Sequence, residues 1–230
     1  MVEELSSTYQ STKEFCLSKH LEINPAKTQF IIFKNQSKKI DDDVALKVDT
    51  LTIIPQPQVK LLGMVLDKHL TLKDHISSLV NTCNGYLGVL RRMSHLWPRK
   101  LSLLFYTAII RSQLEYASAL LVPVASSHLE KLNIIQRKAA RIICNVPSDS
   151  HSEPLLKELD LCSLHDRRVK RTVKLVMDSL NNNCHPGLSN KFLEDEEGDD
   201  GGNLRLPSTK TAMGRKRFSY FGADLFNNSH

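Results

Sequence analysis

The sequence predicts an α+β chain that is mainly helical: a small partial sheet, then a helical bundle, then an irregular tail. Three observations carry this. Apolar, β-branched and aromatic runs of strand character lie only between Leu21 and Leu66. From Ile76 to Leu180 the apolar residues recur three and four apart instead, the period of an amphipathic helix. At 194–202 the composition collapses to EDEEGDDGG, which marks a linker before a polar, basic end. The segments are therefore 1–70, 71–192 and 193–230.

Residues 4–18 read as a helix, with Leu5, Phe15 and Leu17 as its apolar side chains. Leu21–Pro25 alternates briefly and stops at an Asn24-Pro25 turn signal. Gln29–Phe33 (QFIIF) is β-branched and aromatic and predicts a strand. A charged turn follows at Lys38–Asp43. Val44–Thr50 sets Val44, Leu46 and Val48 on one face of a second strand, which Leu51–Ile54 extends until Pro55 and Pro57 break it. Val59–Leu66 predicts another strand, with Gly63 marking a bulge or a close backbone approach.

Thr71-Leu72-Lys73-Asp74 has the form of a capping box, and Ile76, Leu79, Val80, Cys83, Leu87 and Leu90 then line one helical face. Pro98 suits a first helical position. The next inward face is predicted as Leu101, Leu104, Phe105, Ala108 and Ile109, running towards Tyr116 and Leu120. Ser127 to Glu130 reads as a second capping box, opening a helix with Leu132, Ile135, Ala139, Ile142 and Ile143 inward. A polar turn at Pro147–Ser152 leads to a short helix over Leu155–Leu159. A long helix starts at Ser163 or Asp166 with Val169, Val173, Val176 and Leu180 inward. Phe218, Tyr220, Phe221, Leu225 and Phe226 are the docking residues of the tail.

The chain is 230 residues long with 41% hydrophobic and 24% charged residues, ordinary globular values that exclude wholesale disorder. Its net charge of +6 favours an anionic partner. Five cysteines, an odd number at wide spacing, are no disulfide framework. With no signal core and no apolar run of membrane-spanning length, the expectation is an intracellular protein, nuclear or cytoplasmic, with no membrane partner.

No phosphate-binding glycine loop, Gly-x-Ser-x-Gly elbow or His-Glu-x-x-His motif occurs. Cys162, His165, Cys184 and His185 flank one continuous helical stretch about 30 Å long, too long for its ends to share a zinc ion. Asp41-Asp42-Asp43 sits in a Lys-rich turn and reads as solvated rather than metal-binding, so no metal or other cofactor is expected for this chain. The basic residues are more telling. Arg91, Arg92, Arg99, Lys100, Arg111, Lys131, Arg137, Lys138 and Arg141 lie between residues 86 and 146, where only Glu115 and Glu130 offset them. Arg167, Arg168, Lys170, Arg171 and Lys174 form a second cluster. Arg137 and Arg141, like Arg167 and Arg171, are one helical turn apart and share a face. Such a face suits a phosphate backbone, read without sequence.

Several stretches, in order, resemble one family. Leu21 to Phe33 (LEINPAKTQFIIF) is similar to the Leu-x-Leu-Asn-x-x-Lys-Thr-x-x-hydrophobic-x-Phe signature that follows the active site of non-LTR retrotransposon reverse transcriptases. Val59 to Asp67 (VKLLGMVLD), with His75-Ile76, resembles their primer-grip hairpin. Leu114-Glu115-Tyr116-Ala117, the run Leu129-Glu130-Lys131 to Arg141, and Leu164-His165-Asp166-Arg167-Arg168 resemble the helical pattern after their palm. Leu204 to Pro207, Gly214 to Phe218 and Leu225 to Ser229 resemble the closing element of Jockey-like members, with Phe226 in place of the usual Trp.

The resemblance implies that 1–70 is the edge of a palm, that 71–192 is a thumb with post-thumb helices, and that the chain is the C-terminal part of an RNA-directed DNA polymerase. The family's aromatic-Ala-Asp-Asp pair is not in this sequence. An intact member would use Mg²⁺; this chain alone is expected to be inactive and to bind template–primer only, with the rest of the palm and the fingers as a partner. Lys27 matches the motif lysine proposed to approach the incoming nucleotide. Leu62 and Gly63 match the primer-grip turn. The expected nucleic-acid contacts are Leu62, Gly63, Arg91, Arg92, Arg137, Lys138, Arg141, Arg167, Arg168 and Arg171, and the expected ligand is RNA or an RNA–DNA duplex. The alternatives are a domesticated helical nucleic-acid-binding or interaction module, or a non-functional relic of such an element.

Overall fold

The computed structural model describes residues 2–24, 27–35, 44–48, 51–192 and 203–229. The turn at Pro25, the Lys38–Asp43 turn with its three aspartates, and the 194–202 linker lie outside them. The described chain is mostly helical with two small antiparallel hairpins, and it divides into two compact units, Met1–His75 and Ile76–His230.

In the first unit, α1 (Val2–Ser18) precedes β1 (Leu46–Val48) and β2 (Leu51–Ile53), then β3 (Gln58–Leu61) and β4 (Met64–Asp67). The apolar side chains named for α1, Leu5, Phe15 and Leu17, are all exposed. At about 100° per residue they point in three directions and cannot form one stripe. Tyr9 is the α1 residue that reaches a small core built on Phe30 and Leu46, with Ile32, Val44 and Ile53 around it.

Three strand expectations are corrected. Gln29–Phe33 forms only an isolated parallel bridge, Phe30 to Pro55, with the Gln56 N–H donating to the Phe30 carbonyl at 2.6 Å. A longer ladder would need N–H donors that Pro55 and Pro57 lack. Leu51–Ile53 folds back on Leu46–Val48 instead of extending it. The run from Val59 to Leu66 is not one strand: it folds into the β3–β4 hairpin, whose turn is Leu62-Gly63. Both turn residues have positive φ, 47° and 85°, the mark of a type I′ turn. Gly63 takes that conformation freely, whereas a γ-branched residue such as Leu62 is strained there by about 1–2 kcal/mol. Leu62→Asn should therefore stabilise the hairpin by about 1 kcal/mol, seen as slower amide exchange over 58–67.

The capping box at Thr71 is also replaced, and Asp67 takes its place. The Asp67 carboxylate accepts from the His69 N–H (3.0 Å), the Thr71 N–H (2.9 Å), the Thr71 hydroxyl (3.0 Å) and the Leu72 N–H (2.7 Å). These bonds lock the turn that feeds α2 (Lys73–Met93). Partial burial alone would raise the Asp67 pKa; the bonds from Thr71, Leu72 and His69 outweigh it and hold the carboxyl below its ordinary 3.8. Because the folded value is depressed, this stabilisation is complete above the unfolded pKa and fades as pH falls through the folded one. Asp67→Asn should cost about 1–2 kcal/mol at neutral pH and progressively less below about pH 4, measured as amide exchange across 67–74.

The second unit is helical: most of α2, then α3 (Arg99–Phe105), a π turn (Tyr106–Ile110), α4 (Arg111–Glu115), a 3₁₀ turn (Ser118–Leu121), α5 (Ser126–Ile143), α6 (Ser152–Glu158), α7 (Leu164–Leu180), α8 (Pro186–Ser189), a second 3₁₀ turn (Gly214–Lys216) and α9 (Phe218–Asn227). α2 buries Ile76, Leu79, Cys83, Leu87 and Leu90, and α5 buries Leu132, Ile135, Ala139 and Ile143, as their periods predict. Burial pushes the Cys83 thiol up to about 11, so it behaves as a small apolar group.

From α3 to α4 the inward face is not the expected one. Ser102, Tyr106, Ile110 and Leu114 are buried, while Leu101, Leu104, Ile109, Tyr116 and Leu120 are exposed. A strict spacing of four overshoots a 3.6-residue turn, and the wider π turn absorbs the overshoot. Pro98 stands one position before the first helical residue, and α5 is preceded by Ala125 without a side-chain cap, so the Ser127 box is not used. On α7, Ser163 does cap, accepting from the Asp166 N–H. This helix buries Leu164, Arg168, Thr172, Val176 and Ser179; of the expected face Val176 is fully buried and half-buried Val173 and Leu180 pack beside it, and the buried stripe is wider than expected because the helix packs against both the first 3₁₀ turn and α9. Where it meets α9, Val176 clusters with Phe192, Leu204, Ala223 and Phe226, and Phe218 stands edge-on to Phe192 at 5.2 Å. Within the described tail Phe218–Asn227 is thus a docked helix, while 205–210 is irregular as expected. Asn227 fastens the helix by a two-way pairing with the Leu204 backbone, 2.8 and 2.9 Å.

Candidate nucleic-acid interface

The basic residues separate into three environments. The first is a structural hub around Glu115, which is 6% exposed. Arg167 donates to both its carboxylate oxygens, Arg171 Nη2 lies 2.7 Å from it, and Arg111 Nε lies 3.8 Å away. Arg171 also donates to the Glu115 carbonyl at 3.1 Å. The hydrogen bond to Glu115 holds the Arg167 guanidinium more firmly charged. These arginines close α7 onto the end of α4, across 52 residues of sequence.

The second environment is the core itself. Arg168 is 3% exposed, so it lies inside the bundle and not on the solvent face, and burial lowers its pKa.

The third is a groove of about 400 Å³ between the ends of α2 and α5, lined by Arg91, Ser94, Lys138, Arg141, Ile142, Asn145, Val146 and Ser148. It contains no carboxylate. Arg91 and Lys138 are exposed, and Arg141 is half-buried with its Nε donating to the Ser150 carbonyl at 2.8 Å. That bond fixes the plane of the guanidinium and leaves its two outer nitrogens for an anion. Arg91 and Arg141 also sit in the last turns of their helices, where they offset the negative ends of the helix dipoles. Three cations exceed what two partial charges need, so a positive balance remains.

A neighbouring hollow shares Arg141 and adds Arg137, but it also holds Asp149 and Glu153, a mixture that suits a polyanion poorly. Arg137 is paired with Glu130; the bonds from Arg137 and then Asn133 hold the Glu130 carboxyl below its ordinary value. Arg92 is exposed at the end of α2. In the first unit, Lys27 is exposed, and Leu62 and Gly63 form the exposed hairpin tip, with Leu62 82% exposed. Among the described residues no three His, Cys, Asp or Glu side chains converge on a point that could hold a metal ion. No helix there is long and apolar enough to cross a membrane.

Sequence reasoning grouped all these arginines together. It did not find Ser150 as the acceptor that orients Arg141, and no local signal pointed to it.

Comparison with curated proteins finds a similarity to the RNA-directed DNA polymerase from mobile element jockey of Drosophila funebris, 24% identical over 191 residues. The match takes in 80% of this chain and 20% of the relative, so the chain spans about a fifth of that protein's length. It supports a distant relationship to non-LTR reverse transcriptases. No family model matches the chain, and no solved structure matches it.

Proposed function

We propose that this chain is the C-terminal part of the RNA-directed DNA polymerase of a non-LTR retrotransposon, and that it holds template–primer by its phosphate backbone without catalysing synthesis. On this reading residues 1–70 are a palm edge with a primer-grip-like hairpin at Leu62-Gly63, and the helices from residue 71 onward are a thumb. The observation that carries it is the similarity to the jockey polymerase across most of the chain, taken together with the carboxylate-free groove of Arg91, Lys138 and Arg141. Phosphate contacts give affinity and register without reading bases, which suits an element that must accept any sequence it copies.

The test is binding of a labelled RNA–DNA hybrid across a salt series, run beside primer extension with Mg²⁺ or Mn²⁺. The expected outcome is salt-sensitive, sequence-independent binding and no incorporation above blank. Absence of binding at low salt removes the proposal, and measured incorporation removes its catalytic half. A second reading, a stand-alone helical nucleic-acid-binding module, draws on the compactness of Ile76–His230 and predicts the same groove.

A further inference from the structure

A hollow of about 610 Å³ lies between α9, the loop that precedes it and the Val122-Pro123 turn. It shares no residue with the groove of Arg91, Lys138 and Arg141. Its size is within the about 300–1,000 Å³ of small-ligand sites, and its walls carry three kinds of chemistry. The first is aromatic and apolar: half-buried Tyr220 lines it together with Val122 and Pro123. Phe221 beside it stands edge-on to Phe218 at 5.5 Å, whereas the Tyr220 ring is paired with no other ring among the described residues. The second is cationic: Lys210 and Arg215, both exposed, with Lys216 beside them. The third is half-buried Asp224. Its carboxylate is in no ion pair among the described residues and accepts a bond from the Asn228 amide at 3.4 Å.

The cationic loop is fixed in shape. The Gly214 N–H donates to Thr211 Oγ1 at 3.0 Å and the Lys216 N–H to the Met213 carbonyl at 3.1 Å. Gly214 lies so close to Thr209 that a Cβ there would stand 3.0 Å from the Thr209 Cβ. Walls already ordered lower the entropy cost of holding a ligand.

These groups select their ligand. A duplex backbone would bring successive phosphates against Asp224. A wholly apolar ligand would desolvate two cations and a carboxylate without pairing them. A nucleotide offers a phosphate to the cations, a flat ring to Tyr220, and donors on sugar or base to Asp224. In a duplex both faces of a base are covered by its neighbours, so the ring is available only in an unpaired strand. We propose that this hollow holds one nucleotide of an unpaired RNA or DNA strand, with its base stacked on Tyr220. The inference stands whether or not the groove binds a duplex.

The test follows the fluorescence anisotropy of a labelled oligouridylate of about ten nucleotides with the full chain at low salt. An abasic strand of equal length keeps the phosphates and removes the rings. The abasic strand with the parent, and the oligouridylate with Tyr220→Leu, should each bind at least about fivefold more weakly, while Tyr220→Phe should bind as the parent does. Lys210→Gln/Arg215→Gln, at two exposed positions, should weaken the oligouridylate by a similar factor without moving the melting temperature. Tyr220→Leu should leave RNA–DNA hybrid binding unchanged. Arg91→Gln/Arg141→Gln should leave the preference for the strand with bases unchanged.

Equal binding of the two strands, or a folded Tyr220→Leu that keeps the parent's preference, would overturn the proposal. If Tyr220→Leu fails to fold, the strand comparison and the Lys210/Arg215 variant decide the matter. Uridine 5′-monophosphate binding as tightly as the oligouridylate would make the hollow a free-nucleotide site and remove the strand. Equal losses of hybrid and oligouridylate with Tyr220→Leu would remove the stacked base.

Discussion

Replacing Glu115 by glutamine is expected to lower the stability of the helical unit by about 2–3 kcal/mol. Burial sets the size of the effect. Breaking a fully buried ion pair costs about 3–5 kcal/mol, and an exposed one about 1 or less. Glu115 is at the buried end of that range, at 6% exposure, but Arg167 and Arg171 are 28% and 50% exposed and recover part of their hydration. Glutamine keeps the shape and one acceptor, yet removes the charge that three guanidiniums face and turns one of their acceptors into a donor. Two controls make the number interpretable. Glu130→Gln breaks the exposed pair with Arg137 and should cost no more than about 1 kcal/mol. In a double-mutant cycle, Glu115→Gln and Arg167→Gln should be strongly non-additive, because they remove the same ion pair. Additive losses, measured by denaturant unfolding, would mean that the hub is not a coupled unit.

That hub shows where sequence reasoning stopped. The faces of α2 and α5 were legible because each is a plain 3.6-residue stripe packed on one side. The Leu62-Gly63 turn was legible only through the resemblance to a primer-grip hairpin, because glycine within an apolar run reads equally as a bulge in one strand. The face of α3 was not: already before the π turn the buried stripe takes polar Ser102 while Leu101 and Leu104 stay exposed, so apolarity pointed to the wrong side. QFIIF had the composition of a strand, but a strand exists only through its neighbour, and here that neighbour is interrupted by prolines. Arg167 and Arg141 look alike in sequence. What separates them is a carboxylate far away in the chain for one and a backbone carbonyl for the other. A charge cluster in sequence therefore overstates the binding surface, since part of it is spent on folding.

The groove yields the second large effect. Arg91→Glu combined with Lys138→Glu should weaken binding of an RNA–DNA hybrid by about a hundredfold at low salt, roughly 2.7 kcal/mol. It should also flatten the salt dependence by about 0.9 log units for each phosphate that is no longer neutralised. The weakening should be uniform across sequences, because phosphates carry no sequence information. Arg171→Gln, which removes one positive charge from the hub as Arg141→Gln does from the groove, should leave the salt slope untouched while lowering stability. Arg141 allows a finer separation. Arg141→Gln removes charge and should flatten the slope. Arg141→Lys keeps the charge but cannot both hold the Ser150 carbonyl and present a planar fork, so affinity should fall with the slope nearly preserved. If Arg171→Gln and the groove double variant flatten the slope equally, binding is spread over the whole basic surface and the groove has no special role. If only the groove variants do, then three cations brought together from two helices are the phosphate site, and the remaining arginines are part of the fold.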